Sequence, residues 1–187
     1  MNSEKHLVVI SGPSGSGKDT VVKVLCKAHP EIELSVSATS RQPRAGEQEG
    51  INYYYLTREG FEQKIAAQEI LEYTEYCGNY YGTLKQEVDK RILNEKTVVL
   101  VIEVEGATNI RRMYPDCTTI FVRPPSYEEL SDRLRGRGTE DEISIRRRLE
   151  RAVEEMEYAT DYNYVVTNSV VEECAKEIYE IIQQRLR

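Results

Sequence analysis

The 187-residue sequence is poor in the residues that hold metals or cross-link small proteins. It has only two histidines and four cysteines, and the cysteines lie far apart without a CxxC pair. A structural zinc site needs about four such ligands at close spacing, so we exclude one. Thiols spread in this way are typical of a reducing compartment, and we therefore expect a cytoplasmic protein.

Long apolar runs and excess positive charge are also absent. The first apolar run, Leu7–Ile10, has four residues, which is too short for a signal peptide or a membrane span. The net charge of −7 argues against nucleic-acid binding. The segment 123–151 nevertheless holds eight arginines and no lysine. Their rigid forks match phosphate oxygens, although an exposed helix face balanced by glutamates explains them equally well.

Segments typical of strands and helices alternate along the chain. Apolar runs predict strands at 7–10, 32–37, 98–102, 118–122 and 164–166. Helical spacing predicts helices at 18–28, 84–93, 107–113, 126–135, 139–160 and from 171 onward. A tyrosine-rich segment with a predicted hairpin lies between the second and third of these strands. This order predicts an α/β fold with a parallel five-stranded core sheet flanked by helices.

A glycine-rich motif joins the first predicted strand to the first predicted helix. It consists of Gly12, Pro13, Ser14, Gly15, Ser16, Gly17 and Lys18. The spacing is that of a phosphate-binding P-loop, whose backbone N–H groups and helix N-terminus hold an anion while the lysine reaches the β- and γ-phosphates. The alternative is a glycine-rich turn between strand and helix that binds no ligand. We favour the P-loop because the strand and the helix flank it correctly.

The residue after the P-loop lysine departs from the common pattern. Most P-loops place Ser or Thr there to meet Mg²⁺, whereas this chain has Asp19 followed by Thr20. Asp19 either binds Mg²⁺ directly or opposes the phosphates by its charge, and the sequence leaves both readings open.

Further motifs lie at 35–53, 72–83, 101–107, 136–140, 148–149 and 168. In their composition and their order over nearly the whole chain, they resemble the signature of the guanylate kinase family. The resemblance implies a P-loop NTPase fold in one domain. It implies a core at about 1–36, 84–135 and 150–187, a small mixed α/β GMP-binding lobe at about 37–83, and a helical lid at about 136–149.

The resemblance also assigns residues to the acceptor nucleotide. It implies GMP-binding positions at Ser37, Arg41, Arg44, Tyr53, Glu72, Tyr81, Thr83 and Glu103. The chemistry agrees, because two arginine forks can clamp a phosphate and a carboxylate can accept from the N1–H and N2 amino groups of guanine. Without the resemblance, core packing would explain the tyrosines and a solvated strand would explain Glu72.

The implied catalytic residues are Lys18, Arg41, Arg137 and Arg148, with the last two in the lid and its hinge. Arg133 and Asn168 match positions near the adenine of ATP, and Asp19 or Thr20 would meet the Mg²⁺ ion. Family members usually carry an acidic residue where this chain has Val101. The implied reaction moves the γ-phosphoryl of ATP·Mg²⁺ onto GMP, and we expect dGMP to be accepted as well.

Two other functions are compatible with parts of this pattern. A guanylate-kinase-like scaffold would bind a protein partner without catalysis, but such domains tend to lose the P-loop and lid arginines that this chain keeps. A related P-loop kinase could act on another phosphorylated acceptor, such as a sugar bisphosphate, but the residues at 37, 72 and 83 favour guanine. The sequence leaves the oligomeric state open between a monomer and a small homo-oligomer.

Overall fold

The computed structural model describes residues 3–76, 78–136 and 142–187. Nine strands are described: β1 (Leu7–Ser11), β2 (Ile32–Leu34), β3 (Ala38–Thr39), β4 (Tyr54–Tyr55), β5 (Ile70–Tyr76), β6 (Asn79–Leu84), β7 (Thr97–Val101), β8 (Thr118–Arg123) and β9 (Tyr164–Thr167). The α-helices are α1 (Lys18–Ala28), α2 (Arg58–Ala66), α3 (Lys85–Leu93), α4 (Val104–Met113), α5 (Tyr127–Arg135), α6 (Glu142–Glu157) and α7 (Val171–Leu186). Short 3₁₀ turns occupy Ser3–His6 and Tyr158–Asp161.

The core is a parallel five-stranded sheet in the order β2-β7-β1-β8-β9, as the sequence predicts. Every residue of β1 is buried, because helices cover both faces of the sheet. Val8 and Ile10 face a cluster that includes α1 and α7. Leu7 and Val9 face the opposite cluster with α3 and α4. The parallel arrangement places the carboxyl ends of all five strands at one edge.

A second sheet lies within the predicted tyrosine-rich segment, in the order β4-β3-β6-β5. Strands β5 and β6 form an antiparallel hairpin, and β3 pairs antiparallel with β6. In this register Glu72 lies directly opposite Thr83. The hairpin therefore brings together two side chains that are eleven positions apart in sequence.

Helices α5 and α6 pack against each other through a small cluster of Leu130, Leu134, Ile145, Leu149 and Ala152. The predicted cap at Ser126 is present, since its Oγ accepts a hydrogen bond from the Glu129 N–H at 3.1 Å. The predicted cap at Thr139 lies outside the described residues.

The structure differs from the predicted elements at a few boundaries. The predicted strand at 32–37 is two strands, because β2 ends at Leu34 and β3 joins the other sheet. Helix α4 begins at Val104 rather than at 107, since Gly106 in its first turn obscures the helical pattern. The predicted helix to 160 ends at Glu157 in a 3₁₀ turn. Within the described residues, no helix combines the length and apolar character needed to cross a membrane.

Candidate active site

The P-loop follows β1 and leads into α1, in the context that the motif requires. Gly12 has a φ of 142°, and a Cβ there would lie 2.1 Å from the carbonyl oxygen of Val122 on the neighbouring strand. Gly17 caps α1 with a φ of 89°, and a Cβ there would lie 2.4 Å from Asn168 Nδ2. Only glycine fits at these two positions without a shift of the surrounding backbone or side chain.

Lys18 is 9% exposed, and its side chain curls back across the loop. Its Nζ donates hydrogen bonds to the carbonyl oxygens of Gly12 and Pro13, the latter at 3.1 Å. The ammonium group is therefore held at the mouth of the loop, where the phosphates of a bound nucleotide would lie.

Arg133 and Asn168 support the loop from behind. Asn168 Nδ2 donates to the Ser16 carbonyl at 2.8 Å, and Arg133 donates to the same carbonyl at 3.3 Å and to the Asn168 carbonyl at 3.0 Å. Asn168 is 1% exposed. These two residues thus fix the P-loop backbone, a role that the sequence did not indicate.

Two cavities open at the carboxyl edge of the core sheet. The donor cavity, of about 250 Å³, is lined by Lys18, Asp19 and Thr20 together with Ser14, Gly15 and Gly17 of the P-loop. The acceptor cavity, of about 340 Å³, lies between the second sheet and the start of α4. Both are lined by Val101–Glu103, at the end of β7. Two ligands bound there would be separated only by this shared wall.

The acceptor cavity contains a buried carboxylate. Glu72 is 8% exposed, and its Oε1 accepts a hydrogen bond from Thr83 Oγ1 at 2.6 Å. A Cβ on Gly106 would lie 2.7 Å from Glu72 Oε2, so glycine leaves the room that the carboxylate occupies. Burial raises the pKa of Glu72, the Thr83 hydrogen bond lowers it, and the nearby charge of Glu103 raises it further. A ligand that donates two hydrogen bonds would compensate this buried charge.

The other end of the acceptor cavity is suited to an anion. Tyr53 and Tyr81 both line it, with their rings 6.1 Å apart in an edge-to-face arrangement. The Arg41 guanidinium lies 5.4 Å from the Tyr53 ring centroid. The hydrogen bond with Glu47 contributes most to the raised pKa of Arg41, and the interaction with the Tyr81 side chain adds to it. Two phenols therefore line this end, and the Arg41 guanidinium lies beside them.

Glu47 holds Arg41 in place. Its two carboxylate oxygens accept from Nη1 and Nη2 of Arg41, each at 3.0 Å. The Arg44 backbone N–H and the Tyr55 hydroxyl donate to the same carboxylate at 2.8 and 2.9 Å. The Arg41 hydrogen bond, followed by that from Arg44, lowers the pKa of Glu47 to about 2. Glu47 is not among the predicted site residues, although an acid six residues after Arg41 in the same loop is a usable signal.

Helix α6 brings arginines to both cavities. Arg148 Nη2 donates to Ser14 Oγ in the P-loop at 2.6 Å. Arg151, one turn later, lines the acceptor cavity. Arg137, the other predicted lid arginine, lies outside the described residues.

The structure brings together most of the predicted site residues. Ser37, Tyr53, Glu72, Tyr81 and Glu103 line the acceptor cavity, and Ser14, Gly15, Gly17, Lys18, Asp19, Thr20 and Glu103 line the donor cavity. The side chain of Arg44 is exposed, and only its backbone N–H contributes to the contact with Glu47. Val101 lines both cavities and therefore lies at the shared wall.

Comparison with known proteins agrees with this geometry. The family model described as guanylate kinase matches residues 4–185. A guanylate kinase of Synechocystis is 45% identical over 177 residues, covering 95% of this chain and 93% of its own. One of Prochlorococcus marinus is 45% identical over 183 residues, covering 98% of this chain and all of its own.

Solved structures agree as well. The crystal structure of guanylate kinase from Anaplasma phagocytophilum matches with a TM-score of 0.74 at 33% identity, covering 95% of this chain and 84% of its own. A shikimate kinase from Bacteroides thetaiotaomicron, at 15% identity and a TM-score of 0.51, shares the fold alone. On the family model and these relatives, the chain belongs to the guanylate kinase family.

Proposed function

We propose that this chain transfers the γ-phosphoryl group of ATP to GMP, giving ADP and GDP. The observation that carries the proposal is the buried Glu72 carboxylate in a cavity that shares its wall with the P-loop cavity. Phosphoryl transfer needs two nucleotides held in line, and two adjoining cavities supply that arrangement.

Glu72 selects the base. The carboxylate accepts from the N1–H and N2 amino groups of guanine, with the Thr83 hydroxyl already bonded to Oε1 and Ser37 on the same cavity wall. Adenine lacks an N1–H and would leave the buried charge without compensation. Such a mismatch is worth about 10⁴ in discrimination.

The phosphate of GMP lies at the opposite end of the cavity, between Arg41 and the hydroxyls of Tyr53 and Tyr81. Glu47 accepts from Nη1 and Nη2 of Arg41. These bonds leave the edge of the guanidinium that includes Nε for the phosphate. Arg44 reaches the same phosphate once the loop at 41–50 folds over the ligand.

Lys18, Arg41, Arg137 and Arg148 stabilise the charge of the transferring phosphoryl group. Lys18 leaves its loop carbonyls for the β- and γ-phosphates, and Arg148 is already at the P-loop through Ser14. Closure of α6 over the donor cavity excludes water that would otherwise hydrolyse ATP. Asn168 and Arg133 stabilise the backbone of the P-loop, and in this proposal they lie beside the adenine of ATP.

The residues of the donor cavity fit a magnesium ion held with ATP. Asp19, Thr20 and Glu103 present hard oxygen donors on its wall. Within the described residues, no group of three or more His, Cys, Asp or Glu side chains is placed to hold a metal ion. When bound, the ion neutralises phosphate charge. Asp19 and Thr20 are the residues that would hold it.

The proposal includes the predicted boundaries of the core, the GMP-binding lobe and the lid. It also includes a cytoplasmic location. Cys26, Cys117 and Cys174 are free thiols, which supports a reducing compartment. We also propose that dGMP is a substrate, because the base and phosphate contacts do not involve the 2′-hydroxyl.

The test is ADP formation from ATP and Mg²⁺ with GMP, dGMP, AMP, CMP and UMP offered separately. Turnover confined to the two guanine nucleotides supports the proposal. Binding of ATP without turnover on any acceptor would instead favour a scaffold or a different acceptor. GMP turnover without detectable dGMP turnover would show that dGMP is not a substrate.

A further inference from the structure

Helix α6 presents two arginines to the two cavities from one face. Arg148 and Arg151 are three residues apart, so they lie one above the other on the helix. Arg148 contacts the P-loop through Ser14, whereas Arg151 lines the acceptor cavity. Arg148 is proposed to stabilise the transferring phosphoryl group, whereas Arg151 has no role in the proposed function.

Arg151 is fixed at one end and open at the other. Its Nε donates to Oε1 of Glu155 at 2.8 Å, and the side chains are 60% and 5% exposed, respectively. Nη1 and Nη2 have no hydrogen-bond acceptor among the residues that the structure describes. A buried carboxylate therefore anchors the guanidinium, and its two remaining NH₂ groups are available to a ligand.

The surroundings of Arg151 are acidic. The hydrogen bond to Glu155 and the nearby charges of Glu155, Glu103 and Glu105 raise its pKa. Glu103 also acts on the buried Glu72. Arg151 is the only cation among the described residues that line this cavity, since the other lining residues are neutral or acidic.

The chemistry of guanosine monophosphate limits what Arg151 can meet. A guanidinium only donates, so its partner must be an oxygen or a ring nitrogen. The N1–H and N2 amino groups face Glu72, and the phosphate lies at Tyr53 and Tyr81. Guanine N3 and the ribose 2′-hydroxyl oxygen are the acceptors nearest the N2 amino group, and of these two only the hydroxyl is missing from dGMP.

We propose that Arg151 donates hydrogen bonds to the ribose 2′-hydroxyl of the acceptor nucleotide, and that Glu155 is the positioning residue that aims it. The inference rests on the proposed function and adds a contact to the same site. It gives the enzyme a preference for GMP over dGMP, with both accepted.

The experiment compares Arg151→Ala with Arg147→Ala, a matched arginine on the same helix that is exposed. We expect Arg151→Ala to lower kcat/KM for GMP about tenfold, the worth of one charged hydrogen bond in a half-open site. The value for dGMP should fall less than about threefold, and the KM for ATP should stay within about twofold. Arg147→Ala should match the wild type throughout.

Calorimetric binding of GMP and dGMP to the same proteins tests the contact without turnover. A GMP-to-dGMP affinity ratio that falls in Arg151→Ala supports the inference, and an unchanged ratio overturns it. The proposed function fails separately, if wild-type protein shows no transfer to either nucleotide.

A double-mutant cycle tests Glu155. If Glu155 acts through Arg151, Glu155→Gln lowers the GMP-to-dGMP ratio in the wild-type background and leaves it unchanged in the Arg151→Ala background. Glu155→Gln could instead weaken GMP and dGMP binding equally in both backgrounds, with a lower Tm and an unchanged GMP-to-dGMP ratio. That result would mean that Glu155 is purely structural and would overturn its positioning role.

Discussion

Arg41 and Glu47 form a two-point ion pair at the anion-binding end of the acceptor cavity, with both N–O distances at 3.0 Å. The carboxylate also accepts from the Arg44 N–H and the Tyr55 hydroxyl. Two of these bonds fix one side of the guanidinium before any ligand arrives, and the other two hold the carboxylate in place. A phosphate that binds Arg41 therefore need not order a flexible arginine.

Replacing Glu47 by Gln should raise the KM for GMP about tenfold, because one charged hydrogen bond is lost and Arg41 is held less firmly. We expect kcat to change by less than about threefold. Glu59→Gln, an exposed acid in the same lobe, is the matched control. A lower KM in Glu47→Gln would show that the carboxylate competes with the phosphate instead of positioning Arg41.

The same pair predicts a pH dependence of stability. Because the pKa of Glu47 falls from 4.5 to about 2 on folding, its contribution is fully present above pH 4.5 and is lost as the pH falls through about 2. The difference in unfolding free energy between wild type and Glu47→Gln should thus be constant from pH 5 to 8 and shrink in acid. Denaturant melts across this range measure it, and a difference that grows in acid would contradict the account.

Replacing Glu72 by Gln should lower kcat/KM for GMP about 10³-fold, since both guanine hydrogen bonds lose a charged acceptor. Thr83→Val, which removes only the hydroxyl bonded to Glu72, should cost less. Steady-state kinetics with GMP and AMP decide the point. Retention of GMP selectivity in Glu72→Gln would place base recognition elsewhere.

Glu72→Gln should also melt at a higher temperature than wild type at pH 7. The raised pKa of Glu72 means that folding disfavours its ionised form, so its unfavourable contribution appears as the pH rises above the unfolded value. The Gln variant lacks that contribution, and the gain in Tm should vanish near pH 4. A lower Tm at pH 7 would show that the charge is compensated in the free protein.

Arg148→Ala should lower kcat by about 10³, as expected for an arginine that stabilises a transferring phosphoryl group. Arg147→Ala, its exposed neighbour, should leave kcat within about twofold. Single-turnover measurements with ATP and GMP separate this loss from product release. A kcat within about twofold in Arg148→Ala would remove the residue from the catalytic set.

Asn168→Ala should destabilise the fold by about 1–3 kcal/mol, because the buried Ser16 carbonyl loses a hydrogen bond at 2.8 Å. The KM for ATP should rise with it, since the P-loop loses its support. Ser169→Ala, which is exposed, is the control. A raised KM with unchanged unfolding free energy would mean that Asn168 touches the nucleotide and does not act through the loop.

The sequence predicted the core sheet and the P-loop because both depend on local patterns. Leu7–Ile10 and the glycines after it are contiguous, and their periodicity and spacing report their structure directly. Contacts between site residues that are distant in sequence were harder to predict. The contact between Arg148 and Ser14 spans 134 positions, and no local pattern encodes it.

The division of the segment 32–39 between two sheets was not predictable for a similar reason. β2 and β3 are separated by a few residues, and each is assigned by its partner strand, β7 for one and β6 for the other. The role of Glu47 was hidden because its loop reads as polar and irregular. Tertiary hydrogen bonds, not propensity, give that loop its shape.

Transfer of label from γ-³²P ATP is the most direct test of the central claim. With Mg²⁺ and an equal mixture of GMP, AMP, CMP and UMP, we predict that the label appears in the β-phosphate of GDP and that the other diphosphates stay unlabelled. Label released as inorganic phosphate, or transferred equally to several nucleotides, would contradict the account of Glu72 and the two adjoining cavities.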